Sequence, residues 1–268
     1  MTAAAAVMEQ QTFHVRSVSL QSRSRQPVAI KVEEELQRLK TAATSMSSST
    51  EICDGLRGLG DLYACVGDLL HLPSLQQTVF CSKQRKRLEE ELEASLLLLD
   101  LVDNMRELVA TAKGRVQGLQ SDLRRRSATS PVMLGSVRKE MQKNVNKCYK
   151  LLRKMDEKGR SSVSLEVDCG VLIESRDATI CVLRSALGLL AMACQKPKWT
   201  RWLWTLKPTQ TQRASELGES LFYSSSQLVQ EQMDAAEATM EAVETELQRL
   251  LRRLIQWRVC FLNFLSLN

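Results

Sequence analysis

Apolar side chains recur every three or four residues from residue 88 to residue 123. At 3.6 residues per turn, this spacing places them along one side of a continuous α-helix. The stripe consists of Leu88, Leu92, Leu96, Leu99, Val102, Met105, Val109, Ala112, Val116, Leu119 and Leu123. Burying one leucine contributes about 1.5–3 kcal/mol, so other helices have to cover this stripe. They can come from the same chain or from a second copy, which makes self-association an open alternative.

A second stripe lies near the C-terminus, within a predicted helix over 209–260. Its members are Ala236, Met240, Val243, Leu247, Leu250 and Leu254. From Thr209 to Trp257 alone, such a helix would be about 72 Å long at 1.5 Å per residue. With only 4% aromatic residues, the chain also lacks the composition that sheets favour. We therefore predict an all-α fold, an elongated multi-helix bundle with long antiparallel helices that resemble a coiled coil.

The prolines mark the predicted helix boundaries, because proline disrupts a helix interior. They lie at Pro27, Pro73, Pro131, Pro197 and Pro208. The helices are predicted at about 28–43, 50–71, 73–126, 131–158, 163–195 and 209–260. We predict one helical domain over 28–268, with a serine-rich loop at 44–49 and a tryptophan-rich hinge at 195–208. Residues 1–27 are predicted to form a disordered basic arm.

The sequence contains no recognisable catalytic machinery. Neither a phosphate-binding glycine loop, a zinc-protease motif nor a nucleophile elbow occurs. With two histidines and no C-x-x-C pair, the eight cysteines are typical of core thiols in a reduced intracellular protein. We therefore expect no enzymatic activity, and we assign no catalytic, cofactor-binding or metal-binding residue.

Charge is distributed unevenly around a net value of +6. Residues 123–158 hold eleven Lys and Arg against three Asp and Glu, a net +8. Residues 209–248 hold one against eight, a net −7. Two such blocks either dock on each other or bind separate partners.

The basic block contains a predicted amphipathic helix with a lysine face. Its lysines are Lys139, Lys143, Lys147, Lys150 and Lys154. The opposite side is apolar and contains Leu134, Val137, Met141, Val145, Cys148, Leu152 and Met155. Such a helix binds an anionic membrane or an acidic partner, or it simply packs its apolar face and leaves the lysines in water. Nucleic acid is less favoured, because no aromatic-studded basic surface accompanies the charge.

Tryptophans next to basic residues raise the membrane alternative a second time. Trp199, Trp202 and Trp204 lie in the predicted hinge, and Trp257 opens the apolar tail WRVCFLNFLSLN. Tryptophan with Lys or Arg is common at headgroup depth, although such residues also fold back onto a bundle. The chain has no uncharged run long enough to cross a bilayer.

The segment FHVRSVSLQSRSRQPV, at 13–28, holds three arginines, four serines and no acid. It has the composition of a transit peptide, but chloroplast targeting is the less favoured interpretation. We expect the chain to be intracellular and cytoplasmic, with peripheral membrane contact as an alternative. Ser17 and Ser19 beside Arg16, and Ser127 after three arginines, are candidate phosphosites, where phosphate would add about −1.5 to −2 charge to a basic segment.

Four sequence blocks resemble the plant-specific BYPASS-related family. They are FHVRSVSLQSRSRQPV with VEEELQRLK, then SSSTEICDGLRGLGDLYACVGDLLHLPSLQQ, the RRR end of the leucine helix, and RRLIQWRVCFLNFLSLN. The resemblance implies a helical plant protein linked to root and shoot development, without enzymatic activity or a defined active site. The hinge KPKWTRWLWTLKP departs from the serine-rich segment with a single tryptophan that the family suggests.

Overall fold

Six helices account for nearly all the residues that the structure, a computed structural model, describes: 27–72, 82–125, 131–159, 167–195 and 216–266. They are α1 (Pro27–Ser45), α2 (Ser49–Leu69), α3 (Ser82–Arg124), α4 (Pro131–Gly159), α5 (Val167–Gln195) and α6 (Glu216–Ser266). No strand occurs within these ranges. The predicted all-α helical bundle is confirmed.

The helix bounds differ from the predicted ones mainly at the ends. Residues 73–81, 160–166 and 209–215, where three predicted helices begin or meet, lie outside the described residues. The last helix continues past its predicted end at 260 to Ser266. Its final turns therefore carry the apolar tail as helix.

A capping box separates the first two helices. Ser48 Oγ accepts a hydrogen bond from the Glu51 backbone N–H at 3.3 Å, and the Glu51 carboxylate accepts one from the Ser48 N–H at 3.0 Å. This reciprocal pairing satisfies two donors that a helix start leaves without partners. The backbone N–H groups of Ser47 and Ser48 that point at the carboxylate lower the pKa of Glu51. The serine run thus forms a short connection rather than a long loop.

The two longest helices, α3 and α6, pack antiparallel. Near one end, the Arg258 guanidinium donates to the Ser95 hydroxyl. Further along, Lys113 Nζ lies 2.8 Å from Glu244 Oε2. Beyond that pair, Gln120 donates to Asp234 at 2.8 Å. Residue numbers rise on α3 as they fall on α6, as the predicted antiparallel arrangement requires.

Helix α2 approaches its neighbours closely at two glycines. A Cβ at Gly58 would lie 3.0 Å from Leu39 Cδ2 on α1, and one at Gly55 would lie 3.3 Å from Val182 Cγ1 on α5. Contacts this short leave little room for a side chain. Close helix packing therefore accounts for these two glycines within α2.

The core draws residues from all six helices into one cluster. On α3, the predicted stripe is mostly buried, but Leu96 is an exception with 47% of its surface exposed. Leu98, Leu101 and Leu108, outside the predicted stripe, are fully buried instead. The reason is that α3 contacts α6 on one side and α4 and α5 on another, so its buried arc is wider than one stripe.

Candidate functional site

The lysine face of α4 lies at the surface. All five predicted members are exposed: Lys139, Lys143, Lys147, Lys150 and Lys154. The row is about 22 Å long at 1.5 Å per residue. None of the five forms an ion pair with another residue that the structure describes. Each ammonium is therefore available to an outside anion.

The opposite side of α4 is built into the core. Met141, Val145, Cys148, Leu152 and Met155 are all buried, as the sequence predicts, against α3 and α5. Burial raises the pKa of the Cys148 thiol to about 11, so this cysteine stays protonated and unreactive at neutral pH. The core thus fixes which side of α4 faces water.

The acids of α6 whose side chains the structure describes do not pair with the lysine face. Asp234, Glu237 and Glu244 of α6 instead meet α3, where they pair with Gln120, Gln117 and Lys113. Helix α4 packs mainly on α3 and α5 and has no extensive contact with α6 in the described part of the chain. Of the two possibilities that opposed charge blocks suggest, mutual docking is therefore not the one observed for these residues.

Repulsion between the lysines of the lysine face destabilises the isolated protein. Adjacent lysines lie three or four residues apart along the helix, a spacing at which like charges repel by about 0.2–0.5 kcal/mol per pair. An anionic partner would relieve this repulsion. The lysine face is therefore our candidate binding surface.

Trp257, predicted as a membrane or hinge contact, lies in the core. It is 7% exposed, and its ring centroid is 5.2 Å from both Tyr63 on α2 and Phe261 on α6. Because α2 covers this side of α6, the indole cannot reach a headgroup layer while the bundle is folded. Trp257 is thus a packing residue rather than an exposed contact.

Several other predicted site residues lie outside the described ranges. They are the candidate phosphosites Ser17, Ser19 and Ser127 and the hinge tryptophans Trp199, Trp202 and Trp204. Their roles stay predictions.

A second surface, which the sequence did not single out, lies where α3 and α6 run side by side. Ile255, Val259 and Leu262 are 48%, 50% and 44% exposed, and their spacing places them on one face of α6. Arg258 of α6 donates a hydrogen bond to Ser95 of α3, so these two residues lie at the same level of the helix pair. Val259 and Leu96 are the next residues along their helices and therefore also lie at about the same level. We call this surface the α3–α6 face and define it as Glu93, Leu96, Asp100, Ile255, Val259 and Leu262.

Buried polar groups at the centre of the bundle pair with one another. Tyr63 Oη lies 3.1 Å from Thr179 Oγ1, which in turn donates to the Ser175 carbonyl at 2.6 Å. Burial raises the pKa of Tyr63, so this phenol stays neutral. Nearby, Arg176 forms a buried ion pair with Glu91. These groups satisfy each other, as most buried polar groups in a core do. The exception is Trp257 Nε1, which is buried next to Tyr63 without a hydrogen-bond partner among the described residues.

The described residues supply little that could bind a small ligand or metal ion. A surface depression on α1 is lined by residues of that single helix, among them Glu34, Arg38 and Thr41, and is wide open to solvent. No group of three or more His, Cys, Asp and Glu suited to a metal ion occurs within the described ranges. Cys53, Cys65, Cys148, Cys181 and Cys260 are free thiols. Among the described helices, none is long and apolar enough to span a bilayer.

Comparison with known proteins identifies one family. A family model described as Protein BPS1 matches residues 55–264, more than three quarters of the chain, and confirms the resemblance to the BYPASS-related family. No curated protein and no solved structure matches. The matched range extends from within α2 into the last turn of α6 and includes the whole lysine face.

Proposed function

Because the chain belongs to the Protein BPS1 family, whose members are plant regulatory proteins of undefined biochemical activity, we propose that it is a non-enzymatic scaffold. It acts through helix-mediated protein contacts, and root and shoot development is the setting that the family resemblance suggests. The proposed contact surface is the lysine face of α4, and the proposed partner is an acidic segment of another protein.

The single observation that carries this proposal is the exposed and unneutralised lysine face. The burial of Cys148 and its apolar neighbours holds α4 in one orientation, so the lysines are presented as a fixed row. A fixed row loses little conformational freedom on binding and favours an extended acidic partner of matching length. Charge complementarity of this kind mainly provides partner selection and fast association.

We expect charge reversal on the lysine face to abolish partner contacts without unfolding the protein. The variant is Lys143→Glu with Lys147→Glu, two exposed residues at the centre of the row. Proximity labelling in root tissue, with the labelling enzyme fused to the chain, would measure the contacts. Acidic proteins labelled by the unmodified chain should fall at least about fivefold in the variant, which corresponds to about 1 kcal/mol.

The matched control is Lys31→Glu with Lys86→Glu, which makes the same charge change at exposed sites on α1 and α3. This control should leave the labelled set unchanged. Both variants should keep the helical circular dichroism of the unmodified chain. If the lysine-face variant and the control label the same proteins to the same extent, the proposed surface is wrong.

The same observation favours one alternative, a peripheral membrane module. Five lysines near an anionic leaflet contribute about 1 kcal/mol each, enough for useful reversible binding. Because the apolar side of α4 is in the core, this contact would be electrostatic and would not involve insertion. Because Trp257 is buried in the core, it is not available as one of the membrane anchors that the sequence suggested.

For the membrane alternative, we expect the chain to cosediment with vesicles that contain phosphatidylserine at 20 mM salt but not at about 500 mM salt, since screening shortens the range of the attraction. Lys143→Glu with Lys147→Glu should weaken this cosedimentation by at least about thirtyfold, because the loss of two favourable charges alone removes about 2 kcal/mol and the two new carboxylates are repelled by the leaflet. Neutral phosphatidylcholine vesicles provide the control. Absence of binding at low salt would exclude the membrane alternative and leave the protein scaffold.

A further inference from the structure

We propose that residues 13–25 of the basic arm dock on the α3–α6 face of their own bundle, and we refer to these residues below as the arm. The face combines four exposed apolar side chains with carboxylates on α3. The arm combines apolar residues with arginines and lies directly before α1. The proposal concerns α3 and α6 and is independent of the lysine face of α4.

Burial of the exposed apolar residues of the face by another segment would be favourable. Leu96, Ile255, Val259 and Leu262 are between 44% and 50% exposed. They make up most of the exposed large hydrophobic side chains of the described chain, and by register they cluster at one level of the α3–α6 pair. Apolar clusters of this kind mark contact sites more often than scattered surface leucines do.

The charges of the face select a basic occupant. Glu93 and Asp100 lie one turn to either side of Leu96, are exposed, and form no ion pair within the described ranges. The next acids along the same side of α3 are already paired, Glu89 with Arg85 and Asp103 with Arg106. The face therefore offers two unpaired carboxylates around an apolar centre.

The arm has the matching chemistry. Its sequence FHVRSVSLQSRSR carries Phe13, Val15, Val18 and Leu20 together with three arginines, and it contains no acid. In an extended chain alternate side chains point to the same side, so Val18 and Leu20 can lie together on an apolar surface while Ser17 and Ser19 face water. Arg16, four residues before Leu20, can then pair with Glu93 or Asp100, for which a planar guanidinium is well suited.

The arm also begins at the correct end of the bundle. Gly58 of α2 meets Leu39 of α1, and Gly55 lies near Met46, so these two helices are antiparallel. Helix α2 runs parallel to α6, since Arg57 pairs with Glu246 and Tyr63 packs on Trp257. Following both registers places the start of α1 near the C-terminal end of α6.

The distance is within reach of the chain. Helices pack about 8–10 Å apart, so the axis of α6 lies about 16–20 Å from the axis of α1, with α2 between. The seven residues from Leu20 to Pro27 span up to about 23 Å when extended. Leu20 can therefore reach Leu262 and Val259, and the preceding residues can continue along α3.

A second copy of the chain would fit the face less well. It would present the same surface to the face. Among the described residues, the unpaired charges of that surface are two carboxylates, Glu93 and Asp100 on α3, and one guanidinium, Arg252, which continues the stripe on α6. The arm brings Arg16 to the same carboxylates and contains no acid. Because it is tethered, it also binds at a high effective concentration.

Limited trypsin digestion of the full native chain tests the docking. Cleavage after Arg16, Arg23 and Arg25 would be timed by mass spectrometry of the arm peptides. If the arm is docked about 90% of the time, undocking raises these cleavage rates about tenfold. We expect this increase for Leu96→Gln with Val259→Gln, and a smaller increase for Glu93→Gln with Asp100→Asn.

Two matched controls accompany these variants. Tyr149→Gln with Met192→Gln removes exposed hydrophobic residues from α4 and α5, and Glu140→Gln with Glu157→Gln removes exposed carboxylates from α4. Neither should change the cleavage rates. Rates that are equal in the face variants and the controls would overturn the proposal. Light scattering that shows a dimer, which Leu96→Gln with Val259→Gln converts to a monomer, would assign the face to a second copy and overturn it as well.

Discussion

Replacing Arg176 with methionine is expected to lower the free energy of unfolding by about 3–5 kcal/mol at neutral pH. Arg176 is 7% exposed and forms an ion pair with Glu91 of α3, whose side chain is only 12% exposed. Without the guanidinium, the Glu91 carboxylate would remain buried and without its compensating charge. Urea unfolding followed by circular dichroism would measure the change.

The loss should depend on pH in a defined direction. Burial raises the pKa of Glu91, and Arg176 opposes that rise, so the pKa in the Arg176→Met variant should be higher still. A carboxyl whose folded pKa lies above its unfolded value stabilises the fold when protonated, and this contribution is lost as the pH rises through the folded pKa. The destabilisation should therefore be largest near pH 8 and should shrink as the pH falls towards 4.

Two controls separate the buried charge from lost packing. Adding Glu91→Leu to Arg176→Met removes both charges. The double variant should recover most of the lost stability, and the pH dependence of the loss should disappear with the carboxyl. Arg184→Met breaks the exposed pair with Asp156 and should cost no more than about 1 kcal/mol. A loss for Arg176→Met that does not change with pH would show that packing, rather than the stranded carboxylate, causes it.

The helices could be predicted from the sequence because most of them carry one dominant apolar side. On α2, apolar residues at helical spacing from Ile52 to Leu70 are buried, and on α4 the predicted apolar residues are buried from Met141 to Met155. Helix α3 was harder to interpret, because the run SLLLLDLV fits several stripes at once. Only the docking of α6 and α5 decides that Leu98 is buried and Leu96 exposed.

The surface could be predicted only in part, for a related reason. Charge has a periodicity of its own, so the lysine face could be found without knowing what α4 packs against. The apolar tail could not be divided into inner and outer residues from its composition. Phe261 faces the core, whereas Val259 and Leu262 face water, and this division follows from the tertiary contacts of α6.

Replacing Phe261 with alanine is expected to lower the free energy of unfolding by about 3–5 kcal/mol. Phe261 is fully buried and packs between Trp257 and Phe264, with ring centroids 5.2 Å and 6.3 Å away. Truncation would leave a cavity between two rings that the helix backbone holds in place, so the site can collapse only in part. Aromatic neighbours add about 0.5–1.5 kcal/mol to what burial alone provides. Urea unfolding in lipid-free buffer would measure the loss.

The adjacent Leu262 provides the control, because it lies in the same turn of α6 but is 44% exposed. Leu262→Ala should cost no more than about 1 kcal/mol, since half of its surface already contacts water. The contrast tests whether the tail is part of the folded core in the absence of a membrane. If both substitutions had similarly small effects, the tail would not be packed in solution, and an interfacial role for this segment would become the better explanation of its apolar sequence.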